Sequence, residues 1–181
     1  MIDEARLDPT DSGLTPATDG WFVVNAADAA WVTSETFGSG CRFENRDALP
    51  FTELGIGIRV LAPGQSNGYY HAESAQEDFL VLAGECLLLV EGEERHLRAW
   101  DFVHCPGGTA HIFVGAGDGP CAILMAGARP DEGSILYPVS EPALRHKAGV
   151  ETETPSPDEA YAGIRPPTSK RPASWDELPW S

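Results

Sequence analysis

The chain has 181 residues, 42% of them hydrophobic, with 28 Asp and Glu against 12 Lys and Arg and a formal net charge of −16. That length and apolar content suit one domain of ordinary size with a full core. A strongly negative chain is a poor partner for nucleic acid, whose phosphates need clustered Lys and Arg, and for an anionic membrane surface. No run approaches the length of a membrane-spanning helix, and the acidic start Met1-Ile2-Asp3-Glu4-Ala5-Arg6 lacks the apolar stretch of a secretory signal. A cytoplasmic location is therefore expected, where Cys41, Cys86, Cys105 and Cys121 stay free thiols. Their scattered positions lack paired zinc-ligand spacing, and Cys86 and Cys121 lie in apolar runs as small core residues.

In chain order, Met1 to Gly20 is rich in Asp, Thr, Pro and Gly and reads as a flexible arm. The apolar run Trp21-Phe22-Val23-Val24 predicts an added strand, and Asn25 or Asp28 starts a helical turn reaching Trp31. Phe37 to Phe43 predicts an irregular strand and Asn45 to Pro50 a loop, so residues 1–50 form an N-terminal arm. Leu54 to Ala62 alternates, with Ile56, Ile58 and Val60 on one parity and Gly or Arg on the other, as a strand does. The turn Pro63 to Gly68 closes it. Glu77–Ala83 and Glu85–Val90 read as a hairpin around Gly84, and Glu91 to Glu94 is an acidic turn from which Arg95–Leu97 returns. Asp101–Cys105, His111–Val114 and Cys121–Ala126 complete a set spanning residues 51–128. Short strands at regular spacing, with Gly and Pro turns, predict an all-β barrel or sandwich.

With Glu77 inward, Phe79 and Val81 also point in, and the apolar Leu80 and Leu82 point out. That outward row needs a cover, either Trp21–Val24 or a second subunit, and a homodimer is expected. Residues 129–181 form a C-terminal extension. In it, Ile135–Val139 and Ala143–Val150 predict a strand wrapping the barrel, and Pro157–Ala162 a short helix capped by Ser156. The end, Trp175-Asp176-Glu177-Leu178-Pro179-Trp180, is expected to dock on the barrel, because two free Trp side chains are costly in water.

The densest chemistry lies between Gly68 and His111. His71 and Glu73 share a face when extended, Glu77 stands at the mouth of the next strand, and His111 arrives from a later one. Imidazole nitrogens and carboxylate oxygens from separate strands are a donor set for a divalent first-row metal. A lone His is more often structural than ligating; two of them in two motifs shift the balance toward metal. His104 shares the parity of Phe102; it is either a proton carrier titrating near neutrality or a His bonded at the barrel wall. Tyr69, Tyr70, Gln76 and Trp100 flank these stretches, and no phosphate-cradling Gly loop or Ser nucleophile motif is present.

These stretches resemble the two motifs of the cupin superfamily. The first reads His-x-His, three or four residues, Glu, six residues, Gly. His71, Glu77 and Gly84 match it, with Glu73 where the second His is expected. The second reads Pro-x-Gly-x-x-His, matched by Pro106, Gly108 and His111. Trp100 stands where a Gly is usual, six residues before that proline, and Gly115 replaces the usual Asn. The resemblance covers roughly Gly55 to Ala128. It implies a double-stranded β-helix, or jelly-roll, barrel with terminal extensions. It also implies one divalent transition metal held by His71, Glu77, His111 and, at the departing position, Glu73, which is either a fourth ligand or a free acid or base. Manganese and iron suit that mixed set best, and nickel and zinc are compatible with it. Two functions follow. The first is a metal-dependent enzyme acting on a small organic substrate by oxygenase, isomerase or decarboxylase chemistry, with Glu73 and His104 as catalytic candidates. The second is a non-catalytic module that binds metal and a small ligand. A barrel that has lost its metal is a third reading, supported only by Glu73 in place of His.

Overall fold

Residues 1–180 are described by a computed structural model, and they form short antiparallel strands joined by glycine and proline turns. In chain order these are β1 (Leu7–Thr10), β2 (Gly13–Pro16), β3 (Ala30–Ser34), β4 (Gly38–Arg42), β5 (Leu54–Leu61), β6 (Ala72–Glu73), β7 (Glu77–Ala83) and β8 (Glu85–Val90). They continue as β9 (Glu93–Arg98), β10 (Phe102–Cys105), β11 (His111–Ala116), β12 (Cys121–Ala128) and β13 (Ile135–Leu136), then the helices α1 (Glu141–Arg145) and α2 (Pro157–Ala160), and finally β14 (Thr168–Ser169). A seven-stranded sheet in the order β10-β7-β12-β5-β4-β3-β14 faces a three-stranded sheet in the order β11-β8-β9. The architecture is the expected all-β jelly roll. Among the described residues no helix is long and apolar enough to cross a membrane.

One expected hairpin is absent. β7 pairs with β10 and β12, whereas β8 pairs with β11 and β9, so the turn at Gly84 carries the chain from one sheet to the other. Gly84 has φ +71, and a Cβ there would lie 2.4 Å from the Pro120 carbonyl oxygen, so only glycine fits this crossing. The true hairpin is β8–β9. Glu91 and Gly92 both take positive φ, 48° and 79°, as a two-residue turn of the type favoured between antiparallel strands requires.

The core lies between the two sheets. Leu61, Phe79, Val81, Cys86, Leu88, Cys105, Phe113, Cys121 and Ile123 fill it, and all four thiols are free and buried. Phe79 and Val81 therefore point inward as their parity required. The outer face of the large sheet carries a continuous cross-strand row, Trp31–Cys41–Ile58–Leu124–Leu80–Phe102. At one end Trp31 is fully buried; at the other Phe102 is 65% exposed.

The C-terminal tail covers the buried end. Trp175 meets Trp31 edge-on and Trp180 stacks on it, each with ring centroids 5.6 Å apart. Leu178 is buried in the same cluster, which also takes Leu82 and Val24. The expected docking of the two tail tryptophans is thus observed, and the tail provides cover that had been expected of Trp21–Val24. That run is not a strand. It makes one bridge, Glu4 to Trp21, and Trp21 and Val23 are exposed.

Three further expectations differ. Residues 7–16 pair as the β1–β2 hairpin instead of forming a flexible arm. The turn at Asn25 forms, with its carbonyl accepting from the Asp28 and Ala29 amides. It ends at Ala29, because Trp31 is taken into β3 by pairing with Cys41. Residues 143–150 are not a strand: Ser140 caps α1, whose first turn holds Pro142. Ala143 and Ala148 then pack on Leu87, Leu89 and Ile112 behind the small sheet. α2 forms as expected, with the Ser156 hydroxyl accepting from the Glu159 amide.

Candidate metal centre

Two imidazoles meet because of backbone register. His71 and His111 are direct antiparallel partners: the His111 amide donates to the His71 carbonyl at 2.8 Å and the His71 amide to the His111 carbonyl at 3.2 Å. Residues so paired project to one face, and their rings stand 5.3 Å apart. Glu77 opens β7 on the inner face of the large sheet, in the row Cys105–Glu77–Gly127–Gly55. One ligand atom from each of His71, Glu77 and His111 lies within 4.8 Å of the others. His111 Nε2 is 3.6 Å from Glu77 Oε2.

The tautomers are set locally. His71 Nδ1 is 2.6 Å from the Tyr69 carbonyl oxygen and His111 Nδ1 is 3.0 Å from that of Thr109. A carbonyl can only accept, so each Nδ1 carries the proton and each Nε2 is left with its lone pair. This is the outer-shell arrangement that orients metal-binding histidines. Burial pushes the His111 pKa down to about 4, helped by nearby His71, so its ring is neutral at physiological pH. Burial, followed by the charge of Glu73, pushes the Glu77 carboxyl up to about 7. A cation would relieve that penalty by pairing with the carboxylate. The donor set therefore fits a divalent metal with two nitrogens and one oxygen.

Glu73 is partly exposed on β6, with Oε1 3.8 Å from His71 Nε2, at the edge of the three-residue group. His104 is not brought there. On β10 it shares the outward face with Phe102, while Val103 and Cys105 face the core, and its Nδ1 bonds Asp78 Oδ1 at 2.7 Å. Of the flanking residues, Tyr70 is buried behind the small sheet, Gln76 donates to Asp78 and Trp100 is 74% exposed with φ +77. Tyr69 meets Phe37 edge-on and packs tilted against Tyr161.

A cavity of about 340 Å³ opens beside His71, Glu73 and Glu77. Its other walls hold residues that the motifs do not mark: Arg42, Glu44, Arg46, Arg59, Tyr137 and Arg129. Glu44 is buried, with oxygens 2.8 and 2.5 Å from the Arg129 guanidinium and 3.0 Å from Arg46. Its carboxyl is held at about 2, chiefly by Arg129. The available signal was the parity of β5, which puts Arg59 and two glycines on one face.

The cupin domain model matches residues 57–127. No curated protein matches the chain. Similar solved structures include the polyketide cyclase RemF from Streptomyces resistomycificus (TM-score 0.53, 15% identity, covering 62% of this chain and 83% of that one). Another is a predicted oxalate decarboxylase from Thermotoga maritima (TM-score 0.52, 19% identity, 60% and 100%). A sugar phosphate isomerase of the cupin superfamily from Silicibacter pomeroyi is 26% identical over 54% of this chain, with a TM-score of 0.47, and the match spans 62% of its length. These likenesses are likenesses of fold. The domain match places a cupin domain at residues 57–127, in agreement with the barrel.

Proposed function

We propose that this cupin is a mononuclear metal-dependent enzyme acting on a small organic substrate in the cavity beside His71, Glu77 and His111. The observation that carries this reading is the convergence of three donors whose histidine tautomers are already set for ligation. A divalent ion held there would supply Lewis-acid polarisation of a substrate carbonyl or enolate oxygen. The chain's own residues do the rest. Tyr69 and Thr109 carbonyls aim the two imidazoles, the Phe79 ring packs 5.1 Å from His111, and Tyr137 packs 5.8 Å from His71. Glu73, beside the set and reachable by solvent, is either a fourth ligand or the group that accepts and returns a proton. Manganese and iron are the favoured ions, with nickel and zinc compatible. The partly covered outer row that ends at Phe102 supports a homodimer, with a second copy over its open end.

The test is elemental analysis of untagged protein purified without chelator, beside His111→Ala and Glu73→Ala. The expected result is near-stoichiometric metal in the wild type and its loss in His111→Ala, with the fold retained by circular dichroism. Loss in Glu73→Ala as well makes Glu73 a ligand; retention leaves it free for proton transfer. Absence of metal from the wild type, even after loading with manganese, iron, nickel and zinc in turn, ends this reading.

A further inference from the structure

The cavity beside the metal donors carries an opposite charge on another wall. β5 and β4 lie two and three strands from Glu77 in the large sheet, about 10 and 14 Å between backbones. Arg59 on β5 and Arg42 on β4 stand on the inner face, diagonal to one another, because Arg59 pairs with Gly40 and Arg42 with Gly57. The glycines make room for the guanidiniums. A Cβ at Gly40 would lie 2.9 Å from Arg59 Nη1. Gly55, Gly57 and Gly127 lower the floor between β4 and Glu77, where Met125 and the Arg129 guanidinium are the side chains that stand.

The cavity's four arginines divide into two pairs. Arg129 and Arg46 are satisfied by Glu44. Among the described residues, the Arg59 and Arg42 guanidiniums make no hydrogen bond and no ion pair, although the chain carries 28 acidic residues against 12 basic ones. Burial strips water from both guanidiniums and lowers their pKa values. For Arg59 the charges of Arg46 and Arg42 add to this, whereas for Arg42 the nearby Asp47 and Glu44 carboxylates offset part of it, so Arg59 is the less compensated of the two. A partly desolvated cation without an anion is costly. Chance surface placement would leave it to water, and a merely structural role would give it an acid, as Glu44 is given to Arg129. A second cavity, of about 310 Å³, meets the first at Arg42, Arg59, Asn67 and Tyr161, so both guanidiniums stand where ligand space converges.

We infer that Arg59, with Arg42 diagonal to it, is the anion-binding end of the site, and that the substrate is a small organic molecule bearing a carboxylate or phosphate. The planar fork of Arg59 receives two of its oxygens, while another part of the molecule faces His71, Glu77 and His111. This rests on the reading of the cavity as the site of action, and it names the substrate class for it. It also makes charge sense of the pair of ends: Glu73 and Glu77 offset a divalent cation, and the substrate's anion offsets the guanidiniums.

The experiment is calorimetric titration of the full chain, as purified and again after chelator treatment, with malonate and separately with inorganic phosphate. It is run on wild type, Arg59→Gln, Arg59→Lys and Arg42→Gln, each with a thermal melt. In the chelator-treated arm no metal is left to coordinate the anion. Binding of at least one probe is expected there, weakened about tenfold or more by Arg59→Gln and less by Arg59→Lys. Malonate binding assigns an organic carboxylate; phosphate binding assigns a phosphate ester. Arg59→Gln is also expected to melt higher than wild type when no anion is present, because it removes an unpaired cation; a structural arginine would lower it. Should Arg59→Gln fold poorly, the Arg42→Gln and Arg59→Lys titrations carry the test. Binding of neither probe, or binding unchanged by all three substitutions, overturns the inference. Metal content does not enter these arms, so this anion site and the metal site can fail separately.

Discussion

The two faces of the large sheet use alternate residues of the same strands for opposite purposes. Its outer face is the apolar row from Trp31 to Phe102, sealed at one end by the C-terminal tail. Its inner face carries Glu77, Arg59, Arg42 and four glycines around a cavity, beside the apolar packing of Phe79, Val81, Leu61, Cys105, Ile123 and Met125. The difference teaches that barrel interior and hydrophobic interior are not the same place here. The sheet packs apolar side chains on both faces, and the covered outer row adds to the core between the sheets while part of the inner face holds charge.

Four substitutions bear on that comparison. The largest effect is expected of Trp31→Ala, which removes the fully buried ring that Trp175 and Trp180 pack on and costs about 3–5 kcal/mol in denaturant unfolding. Metal content of the folded fraction is expected to stay unchanged; its loss would show that the two faces are coupled.

Next is Glu77→Gln in metal-free protein. The folded state raises the Glu77 pKa to about 7, so Glu77 holds its proton more tightly folded than unfolded. Its contribution is fully present below the ordinary value of 4.5 and is lost as pH rises through about 7. Above pH 7 the variant, which cannot ionise, is expected to be the more stable by about 3 kcal/mol, with no difference below pH 4.5. His111 runs the other way. Its folded pKa is lowered to about 4, so its contribution is present above 6.5 and is lost as pH falls through 4. Thermal melts of chelator-treated protein across pH 4 to 8 check both signs, and a flat difference between Glu77→Gln and wild type would remove the buried-carboxylate account of the inner face.

Trp100→Gly is expected to gain about 1 kcal/mol, since φ +77 is strained for any residue with a Cβ and the indole it gives up is mostly exposed. Equilibrium unfolding measures it, and a loss instead would mean that Trp100 contributes contacts to an assembly. Phe102→Ser, at the open end of the outer row, is expected to leave the stability of the subunit within about 0.5 kcal/mol. Light scattering should then read dimer mass for the wild type and monomer mass for the variant; monomer for both removes the homodimer.

Local chemistry was legible from residues alone where the cause was local. Ser156 caps α2 because a hydroxyl three residues before Glu159 reaches its amide. Phe79 and Val81 point in because strand parity follows from Glu77. The Trp100 departure from the usual glycine shows as a positive φ at that residue. What parity could not tell was which side of β5 is the cavity. A rule that sends Ile58 and Val60 to the barrel interior would put Arg59 in solvent, whereas the tail covers Ile58 and leaves Arg59 in the barrel. The Gly84 turn failed as a hairpin for a related reason: a glycine marks where the chain bends, and the partners of β7 and β8 come from elsewhere in the chain.

The sequence by itself determined the class of barrel, the strands between Leu54 and Ala128, and the candidate trio His71, Glu77 and His111. Those depend on residue type at fixed short spacing, and spacing along a strand dictates the face on which a side chain lies. Only the tertiary structure decided that His71 pairs across to His111, that His104 turns away to Asp78, and that Arg59 is left without an acid while Glu44 takes Arg129. Each of these is a choice of partner between distant segments, made by register and packing across sheets, and no local pattern of residues encodes it.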